Sequence, residues 1–203
     1  MAADSPNAAD IARRHLIASR EVVAATLADE GIIMAIAAIS KRMEDTLRAG
    51  GKILLAGNGG SAADAQHIAG ELLSRLYFDR SPLPAVALTT DSSVLTAIGN
   101  DYGYEDVFAR QVSGLGRGGD VFVAISTSGR SPNILKAVEA AKANRMHTIA
   151  FTGNTEAPLA GMCSLALRAP TGSTPLIQQI HISAAHAICE LVESAMFPRK
   201  NGG

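Results

Sequence analysis

Four side chains in this sequence could hold a metal ion and move protons: His67, Glu71, Gln178 and His186. His67 and Glu71 stand four residues apart, so on a helix they share a face. Gln178 and His186 are eight apart, which on a helix turns through about 80° beyond two full turns, so both can point into one quadrant. His181 is offset the other way from Gln178. Two imidazoles, a carboxylate and an amide oxygen make a zinc-type donor set, although glutamine is an uncommon ligand. A carboxylate beside an imidazole is also what enolisation requires. One group takes a proton alpha to a carbonyl and the other protonates the neighbouring oxygen or carbon. A metal ion polarises such a carbonyl as a Lewis acid. Leu72 and Leu73 follow Glu71, and Ile177, Ile180, Ile182 and Ile188 surround the later set, so neither stretch is simply a solvated stripe. Spacing alone assigns His181 a structural role and leaves His186 open between core residue and ligand.

Two turns could hold an anionic sugar. The first is Ala56-Gly57-Asn58-Gly59-Gly60-Ser61, placed between a short apolar run and a helical one. Its glycines allow a sharp turn and close approach of a ligand, and the helix that follows offers unpaired N–H groups to an anion. Asn58 and Ser61 carry side chains able to reach sugar hydroxyls. Gly57 to Ala62 also fits the dinucleotide pattern G-x-G-x-x-A, but that reading needs an acidic residue about 20 residues on, at the end of the second strand. Asp91 lies too far along, and no G-K-[ST] phosphate loop is present. The second turn is Ser126-Thr127-Ser128-Gly129-Arg130-Ser131-Pro132-Asn133. Pro132 suits the first helical position with Ser131 as N-cap. Hydroxyls and backbone N–H groups then converge on a helix N-terminus, the recipe for a phosphate cradle.

The elements that position these groups follow from periodicity. Ala8 to Arg48 reads as helical with a break near Asp29-Glu30-Gly31, and Gly50-Gly51 ends it. Leu16, Val23 and Leu27 recur near helical spacing in the first part. Strands are expected at Lys52–Ala56, Ala85–Leu88, Asp120–Ile125, Met146–Phe151 and Ser164–Arg168. Helices are expected at Ser61–Leu76, Ser92–Gly99, Glu105–Leu115, Pro132–Ala143 and Thr174–Met196. Alternating helices and continuous apolar strands predict an α/β fold, a three-layer, doubly wound, mainly parallel five-stranded sheet with an N-terminal helical extension. Ligands of such sheets bind at the carboxyl ends of the strands, which is where both turns fall. The expected organisation is one domain over residues 8–197, with N-terminal helices over 8–48, a flexible tail at 1–7 and a C-terminal tail at 198–203.

The 203 residues suit one domain with a real core. Hydrophobic content of 47% and charged content of 18% are ordinary for a folded soluble protein. A formal net charge of −1 argues against a general nucleic-acid footprint. No apolar run approaches membrane-spanning length, and Met1 to Ile11 has no apolar signal core, so neither a membrane span nor a secretion signal is expected. Cys163 and Cys189 form no disulfide framework and read as buried thiols in a reducing cytoplasm. His15, His147, Arg75, Arg110 and Arg130 read by default as structural or surface residues.

The segments GNGGSAADAQHIAGE (57–71), LTAIGNDYGYEDVFARQV (95–112), STSGRSPN (126–133) and IQQIHISAAHAI (177–188) resemble those of the phosphoheptose isomerase family. Its members are built on a sugar-isomerase (SIS) domain. The resemblance runs from residue 10 to residue 197. The phosphate turn is common to all SIS domains. The H-x-x-x-E after the glycine turn, joined to Q-x-x-H-x-x-x-x-H near the end, is far more specific. The resemblance implies conversion of sedoheptulose 7-phosphate to D-glycero-D-manno-heptose 7-phosphate through an enediol, supplying heptose for lipopolysaccharide, capsule or another glycan. It also implies one zinc ion per subunit, held by His67, Glu71, Gln178 and His186. Glu71 matches the family's general base and His186 its acid. Asn58, Gly59, Gly60, Ser61, Glu71, Asn100, Asp101, Ser126, Thr127, Ser128, Ser131 and Gln178 match substrate contacts. Family members form homotetramers with active sites at subunit interfaces, which fits a helical N-terminal layer.

Two positions depart from the family pattern: Gln179 stands where Glu is usual, and Leu176 where Lys or Arg is frequent. Neither belongs to the ligand set. A related SIS protein serves in bacteria as a non-catalytic partner of the replication initiator protein. It lacks the acidic and imidazole groups found here at Glu71 and His186, and a catalytic pair needs both members. SIS domains that sense sugar phosphates for gene regulation are usually fused to a DNA-binding segment, for which this sequence has no room.

Overall fold

The computed structural model describes residues 7–198. Of the two expected tails, residues 1–6 and 199–203 lie outside the described residues. Asn7 caps the first helix, accepting from the Ala9 N–H. The chain then forms α1 (Ala8–Ala28), α2 (Glu30–Arg48), β1 (Ile53–Gly57), α3 (Gly60–Leu73), β2 (Ala85–Ala87), α4 (Ser92–Asp101), a 3₁₀ turn (Tyr104–Asp106), α5 (Ala109–Leu115), β3 (Val121–Ile125), α6 (Pro132–Ala143), β4 (His147–Thr152), α7 (Pro158–Met162), β5 (Leu165–Arg168) and α8 (Thr174–Met196).

The break between α1 and α2 has a local cause. Asp29 adopts an extended conformation, and its carboxylate accepts from the Gly31 and Ile32 N–H groups at 2.9 and 3.2 Å, an N-cap that starts the new helix. Two expected helices differ in extent. The one begun at the glycine turn stops at Leu73 rather than Leu76, and the next residues are held by a side chain of α8 instead. The one expected over 105–115 is interrupted at Val107 and Phe108, whose side chains are buried at 0% and 2% exposure. The five-residue α7 was not expected.

The strands form one parallel sheet in the order β2-β1-β3-β4-β5. Period-two alternation splits its side chains between two cores. Ile53, Leu55, Val121, Val123 and Phe151 face α2, α3 and α8. Leu54, Ala56, Phe122, Ala124 and Ala150 face the layer that contains α5, α6 and α7. Strands β1 and β3 are buried along their whole length, hence their uninterrupted apolar sequences. From β1 the chain crosses by α3 to β2, then returns by α4 and α5 on the other face to β3. The carboxyl ends of β1 and β3 therefore diverge at a topological switch point, and a crevice opens outside them.

Helix α1 is less covered. Val22 is its buried residue and packs with Ala169, Ile177 and Ile180. Leu16 and Leu27, which recur at helical spacing, are 67% and 74% exposed. Among the described residues, no single helix is long and apolar enough to cross a membrane.

Candidate active site

The glycine turn is built to bring α3 close to α8. Gly59 takes a positive φ of 56°, a conformation that favours glycine. A Cβ at Gly57 would overlap the Ser61 backbone, and one at Gly60 would overlap the Gln178 amide. Gln178 thus packs against the start of α3. Further along the same two helices, His67 and His186 meet. Their Nε2 atoms are 3.0 Å apart, and the Glu71 Oε1 is 3.1 Å from the His67 Nε2. One donor atom from each of the three residues lies within 4.8 Å of the others. Two imidazole nitrogens and a carboxylate oxygen thus face one another across the gap between α3 and α8. They also fit a cation: a tetrahedral zinc site with bonds of 2.0–2.1 Å sets its donors about 3.3 Å apart. The donor chemistry and spacing therefore suit a zinc-type ion. The site is open in the single chain, with the His67 side chain 46% exposed and that of Glu71 22%.

The second turn lies across the crevice. Ser126, buried at the end of β3, has its Oγ 3.0 Å from the Ser131 Oγ and 3.5 Å from the Ser128 Oγ. It also accepts from the Gly129 N–H at 3.2 Å, while Ser128 accepts from the Arg130 N–H at 3.3 Å. Gly129 sits at φ +64°, and a Cβ there would strike Ala157 and Thr152. Ser131 occupies the N-cap position of α6, but its hydroxyl makes no capping bond. The N-cap residue is the expected one, but its hydroxyl turns into the serine cluster. Pro132 has no N–H, and those of Ile134 and Leu135 bond to the Ser131 carbonyl, so of the first-turn N–H groups that of Asn133 is left to a ligand.

The two turns are joined by side chains. Asn58 and Asn133 exchange two amide hydrogen bonds, each 2.9 Å. The Tyr104 hydroxyl donates to the Asn58 Oδ1 at 3.1 Å. Asn58 thus spends hydrogen bonds on holding the crevice, and Ser61 is buried at 3% exposure. Sequence reasoning missed Asn133 and Tyr104 as site residues. For Asn133 there was a signal, a buried amide at the start of a helix in the quoted serine turn; for Tyr104 there was none. Asn100 and Asp101 end α4, exposed and bonded to each other at 2.8 Å, just before the chain returns to the crevice through Tyr104.

The remaining titratable residues separate from this centre. His181 is buried, with its Nε2 3.1 Å from the Thr152 carbonyl oxygen; burial pushes its pKa down to about 4. His147 opens β4, and burial lowers it too. Asp91 caps α4. Arg110 stacks 3.7 Å over the Tyr102 ring, and Arg130 donates to the Glu156 carbonyl. Burial pushes the Cys163 thiol to about 11 and that of Cys189 to about 12, so neither is a ready nucleophile. Asp64, one turn before His67, was also missed. Burial raises its pKa, and its buried Oδ2 has no hydrogen-bond partner.

The chain is similar to known proteins along most of its length. The family model for the SIS domain matches residues 13–153. The phosphoheptose isomerase of Burkholderia pseudomallei is 53% identical over 90% of this chain and 92% of its own length. That of Aneurinibacillus thermoaerophilus is 50% identical over 94% and 96%. The solved structure of phosphoheptose isomerase GmhA from Neisseria gonorrhoeae superposes with a TM-score of 0.87 at 42% identity, covering 93% of this chain and 100% of that one. The chain belongs to the SIS domain family and, within it, to the phosphoheptose isomerases.

Proposed function

We propose that this protein is an aldose–ketose isomerase that converts sedoheptulose 7-phosphate to D-glycero-D-manno-heptose 7-phosphate for heptose precursor synthesis. The observation that carries this reading is the meeting of His67, Glu71 and His186 beside a serine-lined cradle at the switch point, in a chain half identical to phosphoheptose isomerases.

The cradle formed by Ser126, Thr127, Ser128, Ser131 and the α6 N-terminus takes the phosphate, and the backbone of Gly59 and Gly60 takes the sugar. Asn100 and Asp101 approach the sugar from the α4 side. At the other end, Glu71 removes a proton from C1 of the ketose while His186 donates one to the C2 oxygen, giving the 1,2-enediol. Return of a proton to C2 and loss of the O1 proton complete the aldose, with no net gain or loss of protons. His67, Glu71, Gln178 and His186 would hold a zinc ion. When bound, it supplies Lewis-acid polarisation of the carbonyl and so lowers the cost of forming the enediol. The 3.0 and 3.1 Å contacts around the His67 Nε2 support that assignment.

A homotetramer with active sites at subunit interfaces is supported by the uncovered apolar side chains of α1, Leu16 and Leu27 among them, and by the exposure of His67. Two free cysteines, Cys189 buried and Cys163 half-buried, support a cytoplasmic location.

The test is isomerisation in deuterium oxide followed by NMR. The reading predicts an aldose 7-phosphate carrying solvent deuterium at C2, the mark of proton transfer through an enediol. Because one base can carry the C1 hydrogen to C2 before it exchanges, partial incorporation also fits the enediol; no aldose from folded, zinc-supplied protein would contradict the function.

A further inference from the structure

A buried ion pair lies two turns of α8 beyond His186 and is not part of the reacting centre. Arg80 and Glu193 have side chains only 2% and 1% exposed, with Arg80 Nε 2.9 Å from Glu193 Oε1. Every side of the pair is engaged. Arg80 donates from Nη2 to the Glu71 carbonyl at 2.8 Å, and from Nη1 to the carbonyls of Leu72 at 2.7 Å and Ser81 at 3.0 Å. Glu193 accepts from the Leu76 and Tyr77 N–H groups, both at 2.9 Å. The Phe197 ring lies 5.6 Å from the guanidinium. Burial pushes the Glu193 carboxyl up, but the Leu76 and Tyr77 N–H groups and Arg80 outweigh it, so it titrates below the usual carboxylate value.

The bonds go to places that matter for the chemistry. The Glu71 carbonyl belongs to the residue proposed as the base. Glu193 follows His186 by seven residues, two turns on the same face of α8. Between them, α3 and α8 pack through Ile68, Leu72, Ala185, Cys189 and Val192. Such apolar contact is non-directional, whereas the charge-assisted bonds of the pair are directional and fix the helix ends more narrowly. A buried ion pair is weak evidence of a stabilising role. This one instead joins the end of α3, the 74–81 loop and α8 through a single planar group.

We infer that Arg80 and Glu193 are positioning residues for the isomerisation: by locking the end of α3 to α8 they set the spacing of His67 and Glu71 against His186. This rests on the isomerase reading and on the donor set described above. Reactive groups and metal donors tolerate misplacement of only about 0.5 Å, and loss of an outer support typically costs about 10- to 100-fold in metal affinity or activity.

The experiment compares wild type, Arg80→Lys and Glu193→Gln, with Asp120→Asn as a control for the loss of a buried ion pair. Asp120 pairs with Lys52 at the opposite ends of the strands. Turnover of sedoheptulose 7-phosphate by the wild type tests the isomerase reading on its own. The ratio of each variant to wild type tests the positioning role, and zinc affinity measured without substrate tests it independently of turnover. Arg80→Lys keeps the charge but not the three-way fork, and is the variant to rely on if Glu193→Gln does not fold. The inference predicts that folded Arg80→Lys loses about tenfold or more in kcat with KM within about twofold, and binds zinc about tenfold more weakly. Asp120→Asn loses thermal stability with kcat unchanged. A folded Arg80→Lys with wild-type kcat and wild-type zinc affinity overturns the inference.

Discussion

Asn58 and Asn133 lie 75 residues apart in sequence and donate an amide hydrogen bond to each other, each 2.9 Å long. This reciprocal pair ties the glycine turn after β1 to the serine turn after β3. It holds the sugar end and the phosphate end of the crevice at one separation. Asn133→Leu keeps the volume and removes both bonds, leaving Asn58 with only the Tyr104 hydroxyl. The expected cost is about 1–3 kcal/mol of stability, with KM for the sugar phosphate raised several-fold and kcat less affected. Chemical denaturation and steady-state kinetics on the same preparation check this; unchanged KM and stability would show that the pair holds nothing.

Glu71→Gln keeps the shape of the side chain and removes its basicity. Proton transfer by a placed group contributes about 10²- to 10⁴-fold, so turnover should fall by at least that lower figure while circular dichroism and oligomeric state stay those of wild type. Turnover within a few-fold of wild type would remove Glu71 as the base.

His186→Ala removes a group that faces the His67 Nε2 at 3.0 Å. Both zinc content and turnover should drop, the first measured by metal analysis after dialysis against a limiting zinc buffer. Full zinc occupancy in this variant would mean that His186 is no ligand.

The pH dependence of stability should show two windows. Burial lowers the folded pKa of His181 from 6.5 to about 4. Between those values the unfolded chain takes up a proton that the folded chain refuses, so stability falls as pH drops from 6.5 towards 4 and this contribution is level below. The loss amounts to about 3 kcal/mol. Glu193 has a lowered pKa against a reference of 4.5; its contribution is full above that value and is lost as pH falls further. Urea denaturation at a series of pH values separates the two. His181→Gln, which cannot titrate, should reduce the slope of the upper window to the part left by His147, whose pKa burial also lowers, and an unaltered slope there would contradict the assignment.

Much of this architecture was legible because it is local. The apolar runs of β1 and β3, the Asp29 cap and Pro132 at the start of α6 announce their elements within a few residues. His67 and Glu71 were legible as a pair because helical spacing places them together, whereas spacing left His186 open and the family resemblance brought it into the set. Other features are joined only by the fold. The Arg80–Glu193 pair spans 113 residues, and no periodicity links its members. Leu16 and Leu27 have helical spacing, yet this chain does not cover them, so the pattern could not say which surface they meet. Ser131 sits where a cap belongs, but Ser126 lies 3.0 Å away and engages its hydroxyl.

The most direct measurement follows sedoheptulose 7-phosphate by NMR with the purified, zinc-supplied protein, before and after a chelator and again after zinc is restored. The account predicts conversion to the aldose 7-phosphate, its loss on chelation and its recovery with zinc. Conversion that continues undiminished in the chelated protein would contradict the metal-assisted mechanism, and no conversion under any of the three conditions would contradict the isomerase itself.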